Sequence, residues 1–387
     1  MRILGKGQTA QSLHQKYPSA LMYDDGDKEK FNLNSDELTV VSPGIPPSNE
    51  MVKNSLNTCS DYDLFAQSMP YSIWISGTNG KTTTTQMIQH LLEKHGSVYG
   101  GNIGVPITTL NSDAKYWILE TSSFTLHYTK KAKPNIYILL PISDDHVSWH
   151  GTFELYEQAK LKPLSMMNAN DTAIIPERYG DIETHAKVIT YTGSKDLAQK
   201  FHIDTTKIKF NDPFLMDSLM ALICSKLLED EIDYDRMNCF EVDEHKVEEL
   251  RDKNGYLWVN DSKATNVDAT IWALKGYKNR KIYLILGGDD KEADLHPLFK
   301  ELKNYDVEIF TIGTNTDRLN DLAKEYNISS TLYKVLSEAV HKIKSILNDD
   351  PKKAQKCVSM LSPAASSLDQ FSSYATRGKE FKNLVLN

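Results

Sequence analysis

Residues 73–83 read Ile-Trp-Ile-Ser-Gly-Thr-Asn-Gly-Lys-Thr-Thr, an apolar run followed by two glycines, a lysine and two threonines. The pattern predicts a β-strand, a tight turn and the start of a helix. Such a turn presents backbone N–H groups and a helix N-terminus to a polyphosphate. Lys81 would neutralise the terminal phosphates, and the Thr82 hydroxyl would bind Mg²⁺. The stretch therefore predicts a nucleotide-binding domain of α/β type.

This loop is shorter than the common G-x-x-x-x-G-K-[ST] pattern, because Ile75 stands where the first glycine would be. The alternative is an ordinary strand-to-helix turn capped by Thr78 or Asn79. The adjacent Lys-Thr pair favours phosphate binding. The predicted ATP contacts of the loop are Gly77, Thr78, Asn79, Gly80, Lys81, Thr82 and Thr83.

Apolar stretches and helical segments alternate along the rest of the chain, which predicts an α/β protein with parallel sheets. Breaks in the pattern at residues 67–71 and 239–243 predict three domains: 1–69, 70–240 and 241–387. We expect the first and third to be Rossmann-like and the second to be a phosphate-loop ATPase-like parallel sheet. The strands predicted before residue 200 are Ala20–Tyr23, Leu38–Val41, Ile73–Ser76, Tyr116–Leu119 and Ile136–Ile142. Those predicted in the third domain are Tyr256–Asn260, Lys281–Leu286, Val307–Ile312 and Cys357–Leu361.

The composition is that of a folded enzyme-sized protein. The chain has 387 residues, of which 40% are hydrophobic and 25% charged, and these values exclude collagen-like and largely disordered chains. A net charge of −8 disfavours nucleic-acid binding. No apolar run approaches the roughly 20 residues of a membrane span, and the four cysteines lack metal-site spacing. We therefore expect a cytoplasmic protein that acts on small molecules. A monomer is also expected, although these features do not determine the oligomeric state.

Two further strand ends carry polar groups. Glu120 ends the apolar run at residues 116–119, and Asp144-Asp145-His146 follows the run at residues 136–142. Parallel strands end at one sheet edge, so these groups are predicted to lie beside the phosphate loop, where Glu120 could bind Mg²⁺. His146 could bind a second metal ion or contact substrate, and the alternative is a solvated loop histidine. Composition alone does not distinguish Lys160 from Lys162 on the next predicted helix.

Taken together, these residues resemble the Mur ligase superfamily, ATP-dependent amide-forming enzymes that include the folylpolyglutamate synthetases. The shared segments are residues 77–82, Glu120, Asp145-His146 and Ala159-Lys160-Leu161. The C-terminal third is most similar to the members that add D-glutamate to UDP-N-acetylmuramoyl-L-alanine. The segments that carry this narrower resemblance are 260–266 (Asn-Asp-Ser-Lys-Ala-Thr-Asn), 286–291 (Leu-Gly-Gly-Asp-Asp-Lys) and 361–371 (Leu-Ser-Pro-Ala-Ala-Ser-Ser-Leu-Asp-Gln-Phe).

The resemblance implies a set of functional residues. Lys81, His146 and Lys160 would be catalytic; one Mg²⁺ would be bound by Thr82 and Glu120, and another by His146 and a carbamate of Lys160. Further ATP contacts, made on domain closure, would be Lys246, Asp261 and Lys263. Contacts to the UDP-substrate would be Gly7, Gln8, Thr9, Ser42, Pro43, Gly44 and Asn102. Contacts to D-glutamate would be Thr265, Lys291, Ser367, Leu368 and Tyr374.

The chain departs from the family pattern in two places. Residues 213–217 read Pro-Phe-Leu-Met-Asp where the family has H-N-x-x-N, and Lys246 stands where the family has arginine. Lysine keeps the charge but loses the planar fork, so weaker phosphate binding is expected there. Three alternatives remain: a folylpolyglutamate synthetase-like ligase, a phosphate-loop NTPase that acts as a switch, and a nucleotide-binding scaffold without chemistry.

Overall fold

A computed structural model describes residues 1–387, apart from the side chains of Val147 and Ser148. The chain forms two compact units, the first from residues 1–210 and 214–240, the second from residues 211–213 and 241–387. The first unit contains a four-stranded and a six-stranded sheet, and the second a six-stranded sheet. The predicted α/β class with three sheets is confirmed. The boundary at residue 69, inside the first unit, stays a prediction.

The small sheet of the first unit is parallel throughout and has the strand order β2-β1-β3-β4. Its strands are β1 (Arg2–Leu4), β2 (Leu21–Tyr23), β3 (Thr39–Val41) and β4 (Thr58–Cys59). The glycine turn at residues 5–7 connects β1 to helix α1 (Gln8–Lys16). Apolar side chains of β1 and β3 form the core of this part, with Ile3 and Val40 fully buried.

The second sheet is also parallel and has the order β10-β9-β8-β5-β7-β6. Its strands are β5 (Tyr71–Ser76), β6 (Ser97–Gly101), β7 (Tyr116–Glu120), β8 (Ile136–Leu139), β9 (Thr172–Pro176) and β10 (Lys187–Tyr191). Residues 72–76 of β5 are all buried, as expected for a parallel strand covered on both faces. Because β5 lies between β7 and β8, the loops after these three strands meet at one edge.

Eight helices of the first unit surround these sheets besides α1. They are α2 (Glu50–Lys53), α3 (Lys81–Leu92), α4 (Ser123–Tyr128), α5 (Val147–His150), α6 (Phe153–Met166), α7 (Ser194–Phe201), α8 (Phe214–Glu229) and α9 (Tyr234–Asn238). Helix α3 follows the phosphate loop directly and packs along α8. Among the described residues, no helix is both long and apolar enough to cross a bilayer.

The second unit has one sheet in the order β11-β12-β16-β13-β14-β15. Its strands are β11 (Glu248–Arg251), β12 (Leu257–Asn260), β13 (Lys281–Gly287), β14 (Val307–Ile312), β15 (Ser329–Lys334) and β16 (Cys357–Leu361). Its helices are α10 (Val267–Lys275), α11 (His296–Leu302), α12 (Thr316–Glu325), α13 (Leu336–Asp349), α14 (Pro351–Ala354) and α15 (Tyr374–Leu386). Strand β11 runs antiparallel to β12, and all other pairs are parallel.

Candidate active site

The phosphate loop adopts the predicted strand, turn and helix. Two of its glycines have backbone conformations that side chains rarely adopt, with φ of +135° at Gly77 and +86° at Gly80. A Cβ at Gly77 would lie 2.5 Å from Leu140 Cβ, and one at Gly80 would lie 2.8 Å from Asp217 Oδ1. Glycine is therefore required at both positions. Gly80 is the N-cap residue of α3 and makes no side-chain cap, so the first turn offers its N–H groups to a ligand.

Two lysine side chains meet at this loop. Lys81 Nζ donates to Gly77 O at 3.0 Å and to Thr78 O at 2.8 Å. Lys160 Nζ donates to the same Gly77 O at 2.7 Å, although Lys160 lies on α6, far along the chain. Two lysine amino groups therefore donate to one carbonyl oxygen in the region where the phosphates are predicted to bind.

Lys160 is in an unusual environment for a lysine. Its side chain is only 1% exposed, and its ammonium lies 4.7 Å from the centre of the Tyr156 ring. Burial, and secondarily repulsion from Lys81, hold the pKa of Lys160 well below its ordinary value. Burial also lowers the pKa of Lys81. A larger fraction of Lys160 than of an exposed lysine is thus the neutral, nucleophilic amine.

Lys162 points elsewhere. Its Nζ donates to His127 O at 2.8 Å, and no contact with the phosphate loop is described for it. Of these two lysines, only Lys160 contacts the phosphate loop. The sequence alone could not show which of the two would do so. The geometry therefore favours Lys160 for a role in the site.

Glu120 lies at the carboxyl end of β7 and is 3% exposed. Its Oε1 accepts a hydrogen bond from Asn102 Nδ2 at 2.7 Å, and its Oε2 is buried without a hydrogen-bond partner. A buried carboxylate oxygen without a partner is costly, and a divalent cation would satisfy it. Glu120 and the half-buried Thr82 hydroxyl on the first turn of α3 are the oxygen donors expected for Mg²⁺. Within the described part of the chain, no cluster of three or more His, Cys, Asp or Glu side chains could hold a metal ion.

His146 follows β8 and has a left-handed backbone conformation, with φ of +55°. Its side chain is 47% exposed, and its ring lies 4.7 Å from that of Phe124 and 6.2 Å from that of Tyr156. Its Nε2 lies 3.6 Å from Asp145 Oδ2. The Lys160 ammonium packs over the same Tyr156 ring, so His146 and Lys160 both lie close to one aromatic side chain.

The residues predicted to bind the UDP-substrate line a single cleft of about 480 Å³ in the first unit. This cleft contains all seven of them: Gly7, Gln8, Thr9, Ser42, Pro43, Gly44 and Asn102. Gln8 Nε2 donates to Gly104 O at 2.7 Å and so joins the glycine turn to the loop after β6. Asn102 joins the cleft to Glu120 through its side chain.

Sequence reasoning missed an acidic and a phenolic side chain of this cleft. Asp61 and Tyr62 also line it, and both are buried. Burial raises the pKa of Asp61 to about 7, and its Oδ1 has no hydrogen-bond partner. Both residues follow the short strand β4, which no clear alternation in the sequence marks.

In the second unit, two of the predicted ATP contacts are buried. Asp261 Oδ2 accepts from the Ser362 hydroxyl at 2.6 Å, its Oδ1 accepts from Val247 N at 3.2 Å, and burial raises the pKa of Asp261 to about 7. Lys246 Nζ pairs with Asp243 at 2.8 Å. Asp261 therefore orders the loop after β12, and it is also a predicted contact of ATP.

The predicted D-glutamate residues lie on loops that the structure brings together within the second unit. Asp289 and Ser366 exchange two backbone hydrogen bonds, which joins the Lys291 loop to the loop that contains Ser367 and Leu368. Leu368 is 65% exposed, and Lys291 and Thr265 are exposed as well. Lys263 Nζ lies 5.7 Å from the centre of the Tyr374 ring.

Arg377 connects these loops and was not identified from the sequence. It is 1% exposed on α15, and it donates from Nε to Ser262 Oγ at 3.0 Å and from Nη2 to Ser262 O at 2.9 Å and Ala365 O at 3.1 Å. An arginine near a chain end is usually a surface residue, so no pattern in the sequence marks it as buried.

The departure at residues 213–217 has a structural counterpart. Asp217 is buried on α8, and its Oδ1 accepts from the Thr84 hydroxyl at 2.7 Å. The carboxylate thus lies against the first turns of α3, next to Gly80. This acid ties α8 to the phosphate-loop helix.

Comparisons with known proteins agree with this site. Residues 75–213 match the Mur ligase middle domain. The chain is 51% identical over 355 residues to the UDP-N-acetylmuramoylalanine–D-glutamate ligase of Campylobacter jejuni subsp. jejuni serotype O:23/36 (strain 81-176), an alignment that covers 92% of this chain and 87% of that protein. It is 44% identical over 376 residues to the enzyme of the same name from Helicobacter pylori (strain J99 / ATCC 700824), covering 92% and 88%.

Solved structures show the same fold. The crystal structure of MurF ligase from Thermotoga maritima in complex with ADP matches 99% of this chain and 93% of that chain, with a TM-score of 0.61 and 14% identity. Folylpolyglutamate synthase from Mycobacterium tuberculosis, complexed with ADP and AMPPCP, matches 83% and 92%, with a TM-score of 0.58 and 14% identity. Structural similarity at 14% sequence identity does not distinguish one kind of ligase from another. The 51% and 44% identities to D-glutamate ligases do make that distinction. The chain belongs to the Mur ligase family and, within it, to the UDP-N-acetylmuramoylalanine–D-glutamate ligases.

Proposed function

We propose that the protein catalyses the ATP-dependent addition of D-glutamate to UDP-N-acetylmuramoyl-L-alanine, a step of peptidoglycan precursor synthesis, as a cytoplasmic monomer. The observation that carries the proposal is the hydrogen bond between Asn102 and Glu120. Asn102 lines the cleft assigned to the UDP-substrate, and Glu120 ends the strand beside the phosphate loop. A ligase needs its acyl substrate next to the phosphoryl group of ATP, whereas an NTPase switch does not.

The chemistry follows from the poor reactivity of a carboxylate. An oxygen of the L-alanyl carboxylate attacks the γ-phosphorus of ATP, the bond to the β-phosphate oxygen breaks, and ADP leaves with the electron pair. The resulting acyl phosphate has a good leaving group. The amine of D-glutamate then attacks the acyl carbon, loses a proton and displaces phosphate, which forms the amide bond.

Positive charge is needed because the first step brings two anions together. Lys81 lies over the loop with its ammonium on the Gly77 and Thr78 carbonyls, within reach of phosphates bound at the start of α3. When the phosphates bind, the ammonium would exchange those carbonyls for phosphate oxygens. The uncapped first turn of α3 would hold the same phosphates through backbone N–H groups.

Two Mg²⁺ ions are part of the proposal. Glu120 and Thr82 would hold one ion, and the unpartnered Oε2 of Glu120 supports this assignment. His146 and carbamylated Lys160 would hold the other. Bound Mg²⁺ would neutralise phosphate charge and polarise the γ-phosphoryl group.

The carbamate of Lys160 is supported by burial. The neutral amine reacts with CO₂ to give a carbamate and one proton, which replaces a cation by an anion with two oxygens. Such an anion suits Mg²⁺, whereas an ammonium group would repel it. The lowered pKa of Lys160 provides the neutral amine, and the loss of its positive charge would relieve the repulsion from Lys81 at Gly77 O.

The second unit would supply the amino-acid site. The exposed ammonium of Lys291 is a candidate partner for the γ-carboxylate of D-glutamate, with Thr265, Ser367, Leu368 and Tyr374 as further contacts. Lys246, Asp261 and Lys263 stay predicted contacts of ATP.

The test is ADP release by the purified protein with ATP, Mg²⁺ and UDP-N-acetylmuramoyl-L-alanine, with one amino acid added at a time. D-glutamate should give turnover, and L-glutamate, D-aspartate and L-lysine should not. Turnover with L-glutamate and a pterin acceptor would instead identify a folylpolyglutamate synthetase-like ligase. ATP hydrolysis that is independent of any amino acid would identify a switch.

A further inference from the structure

The cleft of the first unit contains one cation that has no assigned role. Lys6 lies in the glycine turn between β1 and α1, and among the described residues that line the cleft it is the only lysine or arginine. Its side chain is 49% exposed. It pairs with two carboxylates, at 2.9 Å from Asp24 Oδ2 and 2.8 Å from Asp27 Oδ2.

The surroundings of Lys6 are suited to an anion. Gly7 is the N-cap residue of α1 and makes no side-chain cap, so backbone N–H groups of the first turn are available. A Cβ at Gly7 would meet no atom within 4 Å, which means that space for a ligand lies beside the backbone. Ser42 lines the same cleft, and its buried Oγ has no hydrogen-bond partner. An uncapped helix start, an unpaired hydroxyl and a cation thus occur together.

The ion pairs of Lys6 do not prevent it from binding a ligand. Both pairs are partly exposed, and ion pairs of this kind contribute little to stability, so the ammonium can change partners at low cost. A diphosphate carries more charge than one carboxylate and offers several oxygens. Without Lys6, Asp24 would lose its ion pair and Asp27 would keep only its longer pair with Lys30, at 3.6 Å, so more negative charge would face a negatively charged ligand.

We infer that Lys6 binds the diphosphate of the UDP-substrate by exchanging its ion pairs with Asp24 and Asp27 for phosphate oxygens. The inference rests on the proposed function, since that function puts a nucleoside diphosphate in this cleft. It assigns the attraction of the diphosphate to Lys6, which would neutralise the two acids only until the ligand binds. The alternative is that Lys6 only ties the turn at residues 24–30 to the glycine turn.

The experiment compares the dissociation constants of UDP and uridine for the full-length protein. Lys6→Met should weaken UDP binding about tenfold or more and change uridine binding less than about twofold, because uridine has no phosphate. Lys6→Arg should stay within about threefold of the wild type for UDP. Lys30→Met is the matched control, since Lys30 also lies near Asp27, at 3.6 Å, but does not line the cleft, and it should bind UDP normally. The thermal midpoints of all variants should agree, because both lysines are exposed.

Three results would contradict the inference. If Lys6→Met binds UDP as tightly as the wild type, Lys6 does not contact the diphosphate. If Lys6→Met weakens the binding of UDP and of uridine by the same factor, Lys6 only holds the two turns together. If the wild-type protein binds no UDP at all, the assignment of the cleft fails first, and with it the proposed function. Added salt should weaken UDP binding to the wild type more than to Lys6→Met, which a structural tie does not predict.

Discussion

Replacing Arg377 by lysine should loosen the loops that carry the predicted D-glutamate residues. The guanidinium makes three buried hydrogen bonds, two to Ser262 and one to Ala365. A lysine ammonium lacks the planar fork, so we expect it to keep one of the three. Each lost bond from a charged donor costs about 1.5 kcal/mol at the lower end, which gives about 3 kcal/mol for two.

This loss is large enough to measure by thermal unfolding. For a domain of 150–250 residues, about 3 kcal/mol corresponds to a fall of roughly 6–12 °C in the thermal midpoint. The same variant should raise KM for D-glutamate, because Ala365 lies two residues from the predicted contact Ser367. KM for ATP should rise as well, because Ser262 lies between the predicted ATP contacts Asp261 and Lys263. Lys379→Met, an exposed change on the same helix, is the control and should change the midpoint by less than about 2 °C. An Arg377→Lys protein that melts within 2 °C of the wild type would refute the argument.

The other predictions concern the sites of both units. Lys81→Ala should lower kcat by about two orders of magnitude or more, and near-normal turnover would exclude Lys81 from phosphate binding. Lys160→Ala should be nearly inactive and partly rescued by short carboxylic acids, whereas Lys162→Ala should keep most activity; full activity of Lys160→Ala would rule out the carbamate. Lys291→Ala should raise KM for D-glutamate much more than KM for ATP, and equal rises would remove Lys291 from the amino-acid site. The pKa of Asp61 is raised to about 7 by burial, so the folded state holds its proton more tightly than the unfolded state and loses stability as pH rises from about 4 to about 7. Asp61→Asn should therefore show a smaller loss of stability over that range than the wild type in urea unfolding at several pH values, and identical profiles would contradict the shift.

Local patterns were enough to predict much of the fold. The strand, turn and helix at residues 73–92 could be predicted from the apolar run, the two glycines and the Lys-Thr pair that follows them. Each of these signals acts over only a few residues. The strand predicted at 136–142 ends at Leu139 in the structure, and Pro141, which has no N–H to donate, follows closely. The antiparallel strand Glu248–Arg251 was not predicted, because its residues are mostly charged and its pairing with β12 is visible only in the folded chain.

What the sequence could not provide is contact between distant residues. Nothing in the order of residues indicates that Lys160 reaches Gly77 O or that Arg377 reaches Ser262. Burial is likewise a property of the whole fold, so the unpaired oxygens of Glu120 and Asp61 could not be anticipated. The resemblance to the family indicated which residues to expect in the site, and the structure showed which groups those residues contact.

The strand order of the second unit has a consequence for its biosynthesis. Strand β16 lies between β12 and β13, near the middle of the sheet, yet it is made after every other strand. Residues 261–356 separate it from β12, and at roughly 5–20 residues per second the ribosome needs roughly 5–20 s to make them. During that time, the edge of β12 at Trp258 and Val259 has no strand paired with it on the side that β16 will occupy. A nascent chain that stalls before residue 357 would therefore expose these residues and be a substrate for chaperones or proteases.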